Sequence, residues 1–339
     1  MGNIKFGSLS HFAVHSVGNK SRGDGVKFSV KESFYADIEE YIVQLLSDGF
    51  KNEEIYQFYF EPMLDLNPVY KMVSSIFEHP DSFLENSKNL GRYLYDKSVH
   101  PKIKSGELCI SYFKNTYFNK VECDCIAIFK SEEKDIVLKV DSGSDIINLE
   151  CQKGISLQKT KKGCIIFNVD KENGFLVLVA NAMNLKAESI YWKDDFLHIR
   201  PINNDFNKTK SFLDNLKKIV TSDLKAELDL SVDEKISIMN RSISYFEENK
   251  VFKKQDFNNE VLLRSDLIKV FDKSENVADF KEDFFISENA VKRIKKGFKS
   301  VIKLDKNFHV YIHGNTDSIE KGVDDDGRKF YKLYYNDES

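Results

Sequence analysis

The chain lacks the long apolar segment that a membrane protein needs. No uninterrupted apolar run among its 339 residues approaches the roughly 20 residues of a membrane-spanning helix. The first residues, Met1-Gly-Asn-Ile-Lys-Phe6, also lack the apolar core of a signal peptide. The sequence therefore predicts a cytoplasmic protein.

Cysteines are few, and their number is odd. The five of them, at positions 109, 123, 125, 151 and 164, lie in apolar, strand-like contexts. In a compartment that keeps thiols reduced, this pattern predicts small core residues rather than disulfides. Cys123 and Cys125 form the one close pair, but no further ligands at zinc spacing accompany them.

Familiar catalytic and cofactor motifs are missing as well. The sequence has no Gly-x-x-x-x-Gly-Lys phosphate loop, no Gly-x-Ser-x-Gly elbow and no dinucleotide-binding glycine triplet. Two His-x-x-x-His spacings, His11/His15 and His309/His313, fall in strand-like segments, where four residues span about 13 Å, too far for one metal ion. No cofactor, metal or catalytic residue is therefore predicted.

What the sequence contains is typical of an ordinary globular protein. Apolar residues make up 41% of the chain and charged residues 31%, and the length favours two or three compact units. The patterns predict an α+β fold with an N-terminal hairpin and helices, a central antiparallel sheet, a helical middle unit, and a C-terminal helix followed by a β-tail. The predicted boundaries are 1–200, 201–285 and 286–339.

Several local patterns are specific enough to test. Residues 9–31 predict a hairpin, and the spacing of apolar residues over 34–47 predicts an amphipathic helix that covers it. Ser231 and Glu234 have the spacing of a capping box at a helix start. Lys161-Lys162-Gly163 resembles a hairpin turn, whose cations either reach phosphate or are simply solvated.

Positive charge concentrates near the C-terminus, although the formal net charge of the chain is -4. Seven Lys or Arg lie between residues 286 and 306, against two acids, Glu288 and Asp305. A local basic face attracts a polyanion, and the nucleic-acid backbone is the commonest one. The alternative is a solvated helix face. The predicted DNA contacts are Lys292, Arg293, Lys295, Lys296, Lys299 and Lys303.

An alternative is a metal-dependent nuclease. Asp124 on a predicted strand precedes Glu132-Glu-Lys134, a loose imitation of the carboxylate and Glu-x-Lys set that holds Mg²⁺ in many restriction-type enzymes. Such chemistry needs both carboxylates to converge on one hydrated ion. The segment 131–135 favours the polar turn of a hairpin instead, which is hard to hold rigid.

Three parts of the chain carry a family resemblance. They are Ala13-Val-His-Ser-Val-Gly-Asn-Lys20 with Gly25-Val-Lys-Phe-Ser29, Leu94-Tyr-Asp-Lys-Ser-Val-His-Pro-Lys-Ile-Lys-Ser-Gly106, and Ser300-Val-Ile-Lys-Leu-Asp-Lys-Asn-Phe308 with Lys329-Phe-Tyr-Lys-Leu-Tyr-Tyr335. With these segments the chain resembles the bacterial nucleoid-associated protein family of the 37-kDa type. The matching segments fall at both ends and in the middle.

The resemblance implies a cytoplasmic protein of the bacterial nucleoid that binds double-stranded DNA without strong sequence preference, as a homodimer. Since the sequence offers no convincing active site, the leading interpretation is a non-enzymatic protein. The resemblance also implies a type II topoisomerase as a possible partner. An isoelectric point near 6.1 favours few phosphate contacts over tight wrapping of DNA. A further alternative is an adaptor that serves a topoisomerase or a defence system and touches DNA only indirectly.

Overall fold

The chain folds into two compact units, residues 1–202 and residues 203–339. The computed structural model describes residues 4–50, 54–141, 147–156, 162–180, 190–223, 228, 230–274, 280, 282–295, 300–304, 307–312 and 319–335. The predicted α+β class is confirmed, because helices and a large antiparallel sheet both occur. The predicted three-part division of the chain stays a prediction.

The first unit is built on a nine-stranded antiparallel sheet. Its strands follow in the order β11-β4-β10-β9-β6-β5-β2-β3, and β1 also pairs with β5. The strands are β1 (Ile4–Lys5), β2 (Ser8–Val17), β3 (Val26–Lys27), β4 (Ile55–Phe58), β5 (Gly106–Phe118), β6 (Val121–Ser131), β9 (Lys162–Phe167), β10 (Leu176–Val179) and β11 (Ile199–Pro201).

Three helices cover the two faces of this sheet. They are α1 (Glu39–Gly49), α2 (Pro68–Glu78) and α3 (Phe83–Lys97). Along β6, Ile126 and Ile128 join the core formed with α2 and α3, whereas Ala127 and Phe129 join the core formed with α1. The central strands are therefore apolar on both faces, which explains their nearly continuous apolar runs.

Helix α1 begins later than the sequence predicts. The apolar spacing from residue 34 predicts a helix over 34–47, but α1 starts at Glu39, and Phe34 and Tyr41 are exposed. The segment before the helix is held to β2 instead, because Ser33 N–H donates to the Phe12 carbonyl (2.8 Å). The inner face of α1, with Ile42 and Leu45, does pack on β2 as predicted.

Two further strands form a separate sheet that we call the arm. Strand β7 (Lys134–Asp141) pairs antiparallel with β8 (Asn148–Ile155), from Lys134 opposite Ile155 to Asp141 opposite Asn148. The arm leaves the end of β6 and returns into β9. Most of its described residues are exposed. Cys151 lies on it, so the prediction that all five cysteines are core residues is wrong at that position.

The second unit contains helices around an aromatic core. These are α4 (Asp205–Lys218), α5 (Val232–Glu248), α6 (Lys254–Phe257), α7 (Ser265–Lys273) and α8 (Glu288–Lys295). Phe212 lies at the centre of this core, with rings of Phe252 and Phe280 within 4.4 and 5.2 Å of its centroid. The capping box is confirmed: Ser231 and Glu234 exchange hydrogen bonds at the start of α5.

Short strand pairs complete the second unit. Strand β12 (Val251–Phe252) pairs with β13 (Phe284–Phe285), β14 (Ser300–Leu304) with β15 (Phe308–Ile312), and β16 (Ile319–Val323) with β17 (Lys329–Leu333). The predicted C-terminal helix and β-tail are thus present. All three pairs are antiparallel.

Candidate nucleic-acid interface

Helix α8 presents its basic residues to solvent because its other face is buried. Ala290, Val291 and Ile294 of α8 are buried, and Val291 and Ile294 belong to the aromatic core of the second unit. Lys292, Arg293 and Lys295 are exposed. The apolar residues thus fix the orientation of the helix, and its cations lie on the outer surface.

Acidic side chains lie beside two of these cations. The Lys295 ammonium group is 2.7 Å from Oε1 and 3.0 Å from Oε2 of Glu247, on α5. Lys292 lies 3.7 Å from Glu288, one turn earlier on α8. All four side chains are well exposed, and such surface pairs contribute only about 0–1 kcal/mol. A phosphate group can therefore compete for these lysines.

The structure describes the predicted contact set only in part. Lys292, Arg293 and Lys295 are brought together on one helix. Lys296 and Lys299 lie outside the described residues. The backbone of Lys303 belongs to β14, opposite His309 of β15. The six-residue site stays a prediction.

A second cationic surface, which the sequence did not single out, lies on the first unit. There the turn over residues 18–25 meets the loop over 98–105. The fully buried Asn19 joins them, because its Nδ2 donates to the carbonyls of His100 (2.8 Å) and Ile103 (2.9 Å). Its Oδ1 accepts from the backbone of Ser21 and Arg22. These loops belong to two of the segments that carry the family resemblance.

Four cations lie on these loops: Lys20, Arg22, Lys102 and Lys104, which we call the loop surface. Lys20 pairs with Asp96 at 2.6 Å, and Arg22 pairs with Asp24 at 3.1 Å. Lys102 and Lys104 are exposed, and neither has a carboxylate partner among the described residues. The loop surface therefore keeps an excess of positive charge.

A buried charged cluster supports the loop from below. Lys130 and Lys162 are each 1% exposed, and Glu132 lies between them, 3.1 Å from the Lys130 Nζ and 2.6 Å from the Lys162 Nζ. Burial lowers the pKa of Lys130 despite the attraction of Glu132. Lys130 also donates to the backbone carbonyl of Lys104 (2.8 Å). Buried charge thus fixes the position of an exposed cationic loop.

This cluster corrects two expectations. Lys162 is neither solvated nor placed to reach phosphate, because its side chain is buried against Glu132 and over the Tyr191 ring. Glu132 is not part of a loose polar turn, since two ammonium groups hold it. This pairing could not be predicted from local patterns, because Glu132 and Lys162 are separated by 30 positions.

The residues of the nuclease alternative do not converge. Asp124 and Glu132 lie near opposite ends of β6, about 26 Å apart at the rise of an extended strand. Asp124 accepts hydrogen bonds from the Tyr112 hydroxyl (2.6 Å) and the Asn115 N–H (3.1 Å). Lys134 pairs with Glu107 at 2.7 Å. These contacts give each group a structural partner, and no two of the three share a site.

The histidines of the first His-x-x-x-His spacing, His11 and His15, contact different partners. His15 Nδ1 accepts from the Ser29 N–H (3.2 Å), and its Nε2 donates to the Ser87 hydroxyl (2.9 Å). Burial lowers the His15 pKa to about 4. His11 faces Glu32 at 3.1 Å, while His313 lies outside the described residues. Within the described ranges, no three His, Cys, Asp or Glu side chains are grouped to hold a metal ion.

An α+β fold with two cationic surfaces defines a candidate polyanion-binding protein. The chain belongs to the NA37 family, described as nucleoid-associated protein YejK, whose sequence model matches residues 13–328. The match confirms the resemblance and covers both cationic surfaces. None of the curated proteins matches the chain. Among the described residues, no helix is long and apolar enough to cross a membrane.

Proposed function

We propose that this protein binds double-stranded DNA of the bacterial nucleoid, in the cytoplasm, without strong sequence preference and as a homodimer. Its contacts are Lys and Arg side chains that neutralise backbone phosphates. They comprise Lys292, Arg293 and Lys295 of α8, together with Lys296, Lys299 and Lys303, and the loop surface is a second place of contact. The protein organises DNA and does not cleave it.

The observation that carries this proposal is the orientation of α8. Its buried residues fix the helix so that three cations face solvent within two turns. Phosphate contacts of this kind position a protein on the duplex but do not read its sequence. A sequence-specific DNA-binding protein places side chains or a helix in a groove of the duplex, against the base edges. A group of exposed cations favours contacts to the phosphates instead, and therefore binding without sequence preference.

The acidic surroundings point to modest affinity. Glu247 and Glu288 compete with phosphate for the α8 lysines, and the whole chain carries a net charge of -4. If four to six cations contact phosphate, log affinity falls with log salt at a slope of about -0.9 per contact. Binding is then measurable at low salt and fades near physiological salt.

A gel shift with generic duplex DNA tests the proposal. The triple variant Lys295→Glu, Lys296→Glu, Lys299→Glu is expected to lose at least tenfold in affinity, since each reversal removes one contact and adds a repulsion. Unchanged affinity of the triple variant removes Lys295, Lys296 and Lys299 from the interface. The same reversal of Lys102 and Lys104 tests the loop surface separately.

The competing proposal is an adaptor that reaches DNA through another protein, such as a type II topoisomerase or a component of a defence system. The neutralisation of Lys295 by Glu247 favours this alternative over a tight DNA coater. A pull-down with purified topoisomerase, run beside the gel shift, separates the two. Capture of the enzyme without any gel shift supports the adaptor.

A further inference from the structure

The arm, β7 and β8, has one apolar face that nothing covers in the described part of the chain. Residues opposite each other in its register share a face, and successive residues along each strand lie on opposite faces. One face therefore collects Ile136, Leu138, Val140, Leu149 and Cys151. The four aliphatic residues among these are each between 60% and 66% exposed. The other face is mostly polar, with Asp135, Val137, Lys139, Glu150 and Gln152.

A ribbon of this kind is incomplete by itself. Two-stranded sheets are marginally stable in water unless their apolar face packs on something, and exposed apolar strands promote association. The alternation of apolar and polar residues is typical of a sheet that is covered on one side. The arm therefore predicts a partner surface.

A second exposed apolar patch lies on the same unit. Val30 (84% exposed) and Phe34 (78% exposed), with Ile38 and Tyr41, form what we call the docking patch. The segment is not loosely attached, because Ser33 N–H bonds to the Phe12 carbonyl and the Tyr35 hydroxyl donates to the Ser10 carbonyl. Phe34 is thus held outward by a fixed backbone.

The docking patch runs beside β2, whereas the arm leaves the sheet from the end of β6. Ser29, next to Val30, donates to the Val14 carbonyl, and Glu39 accepts from the Leu9 N–H (3.0 Å). The arm begins after Ser131, which pairs with Glu107 of β5. A symmetric dimer of two copies contains an arm–patch contact twice.

We propose that the arm of one copy packs its apolar face on the docking patch of a second copy, and reciprocally, so that the two arms hold a symmetric dimer. The charges agree with this arrangement. Lys153 lies on the apolar arm face, opposite Ile136, and Asp37 and Glu40 border the docking patch. This inference identifies the interface of the homodimer in the proposed function and rests on it.

The area favours a second copy over a different partner. A standard interface buries about 800 Å² per partner over 20–30 residues, so the eight residues on one face of the arm account for roughly 250 Å² and one arm contact for roughly 500 Å² in total. A single contact is therefore too small for a specific interface. In a two-fold dimer the contact occurs twice and totals roughly 1,000 Å², which reaches the area that a specific interface needs.

Sedimentation of the full-length chain tests the proposal with a matched control. Leu138→Glu on the apolar arm face and Phe34→Glu on the patch are each expected to raise the dimer dissociation constant at least tenfold. The matched control is Val137→Glu, which changes the neighbouring, similarly exposed residue on the polar face of the arm. This variant is expected to leave the dimer dissociation constant unchanged. A monomeric wild type, an unaffected Phe34→Glu variant, or equal effects of Leu138→Glu and Val137→Glu would each overturn the proposal.

The rate at which the native Cys151 is alkylated provides a second readout that needs no substitution in the arm. Cys109, Cys125 and Cys164 are buried, and burial raises the pKa of the half-buried Cys123 to about 11, so Cys151 is the accessible thiol. Its labelling should slow as wild-type concentration rises into the dimer range. In Phe34→Glu it should be fast throughout; equally slow labelling in that variant contradicts the arm–patch contact.

The two proposals fail separately. If Lys295→Glu, Lys296→Glu, Lys299→Glu leaves DNA affinity unchanged while Leu138→Glu dissociates the dimer, the proposed phosphate contacts of these three lysines are wrong and the arm contact stands. If the wild type binds DNA as a monomer, the dimer fails and the phosphate contacts remain.

Discussion

Lys295 and Glu247 lie 2.7 Å apart on the surface of the second unit, so the predicted DNA face carries its own competitor for a phosphate group. The pair joins the end of α8 to the end of α5, and both side chains are exposed to water. An exposed pair of this kind is easily exchanged, because its contribution to stability is only about 0–1 kcal/mol. The proposed contact of Lys295 with a phosphate group therefore requires that it exchange Glu247 for the phosphate.

Removing the competitor should strengthen DNA binding. Glu247→Gln leaves Lys295 free to contact phosphate, so the affinity for duplex DNA should rise about two- to fivefold, which corresponds to the energy of an exposed ion pair. The matched control is Glu248→Gln, the same charge change at the next position, where the carboxylate makes no ion pair among the described residues. Equal gains in both variants would mean that net charge alone matters.

The buried charge cluster should be important for stability. Glu132→Gln leaves Lys130 and Lys162 without a counter-charge, and breaking a buried pair in this way costs about 3–5 kcal/mol. Chemical denaturation should show this loss. Glu122→Gln, an exposed position on the same strand, should stay within about 1 kcal/mol of the wild type.

Stability should depend on pH through His15. Its folded-state pKa is lowered to about 4, so between about pH 6.5 and pH 4 the unfolded chain binds a proton that the folded chain does not. The free energy of unfolding should therefore fall as pH falls through this window, by up to about 3 kcal/mol from this group. His15→Gln should flatten that dependence, whereas exposed His79→Gln should not.

Plasmid incubated with the protein and Mg²⁺ or Mn²⁺ should stay supercoiled. Asp124, Glu132 and Lys134 each serve a structural contact, and eight positions of largely extended chain separate the first two. The Asp124→Ala variant should give the same result as the wild type. Nicking by the wild type that disappears in this variant would restore the nuclease alternative.

Most of the fold could be predicted from patterns that are local in the sequence. The apolar runs of β5 and β6 and the Ser231 capping box need only neighbouring residues to be recognised. Helix α1 shows the limit of periodicity. Phe34, Ile38 and Tyr41 repeat as a helix face would, yet the chain exposes them, since spacing reports amphipathic character and does not reveal the partner.

The candidate site was harder to predict because its electrostatics are non-local. Lys295 is recognisable as a cation, but Glu247 lies 48 positions earlier and meets it only through the packing of α5 and α8. The partnership of Lys162 with Glu132, and that of Asn19 with His100, likewise join distant segments. Tertiary contacts thus decide which lysines are buried, paired or available.

A salt titration of binding to generic duplex DNA tests the proposed phosphate contacts most directly, with the wild type and the triple variant Lys295→Glu, Lys296→Glu, Lys299→Glu compared side by side. The wild type should show a slope of log affinity against log salt of about -4 to -5. The variant lacks two to three phosphate contacts, so its slope should be shallower by about 2 to 3. Identical slopes, or wild-type binding that does not respond to salt, would contradict the proposed contacts.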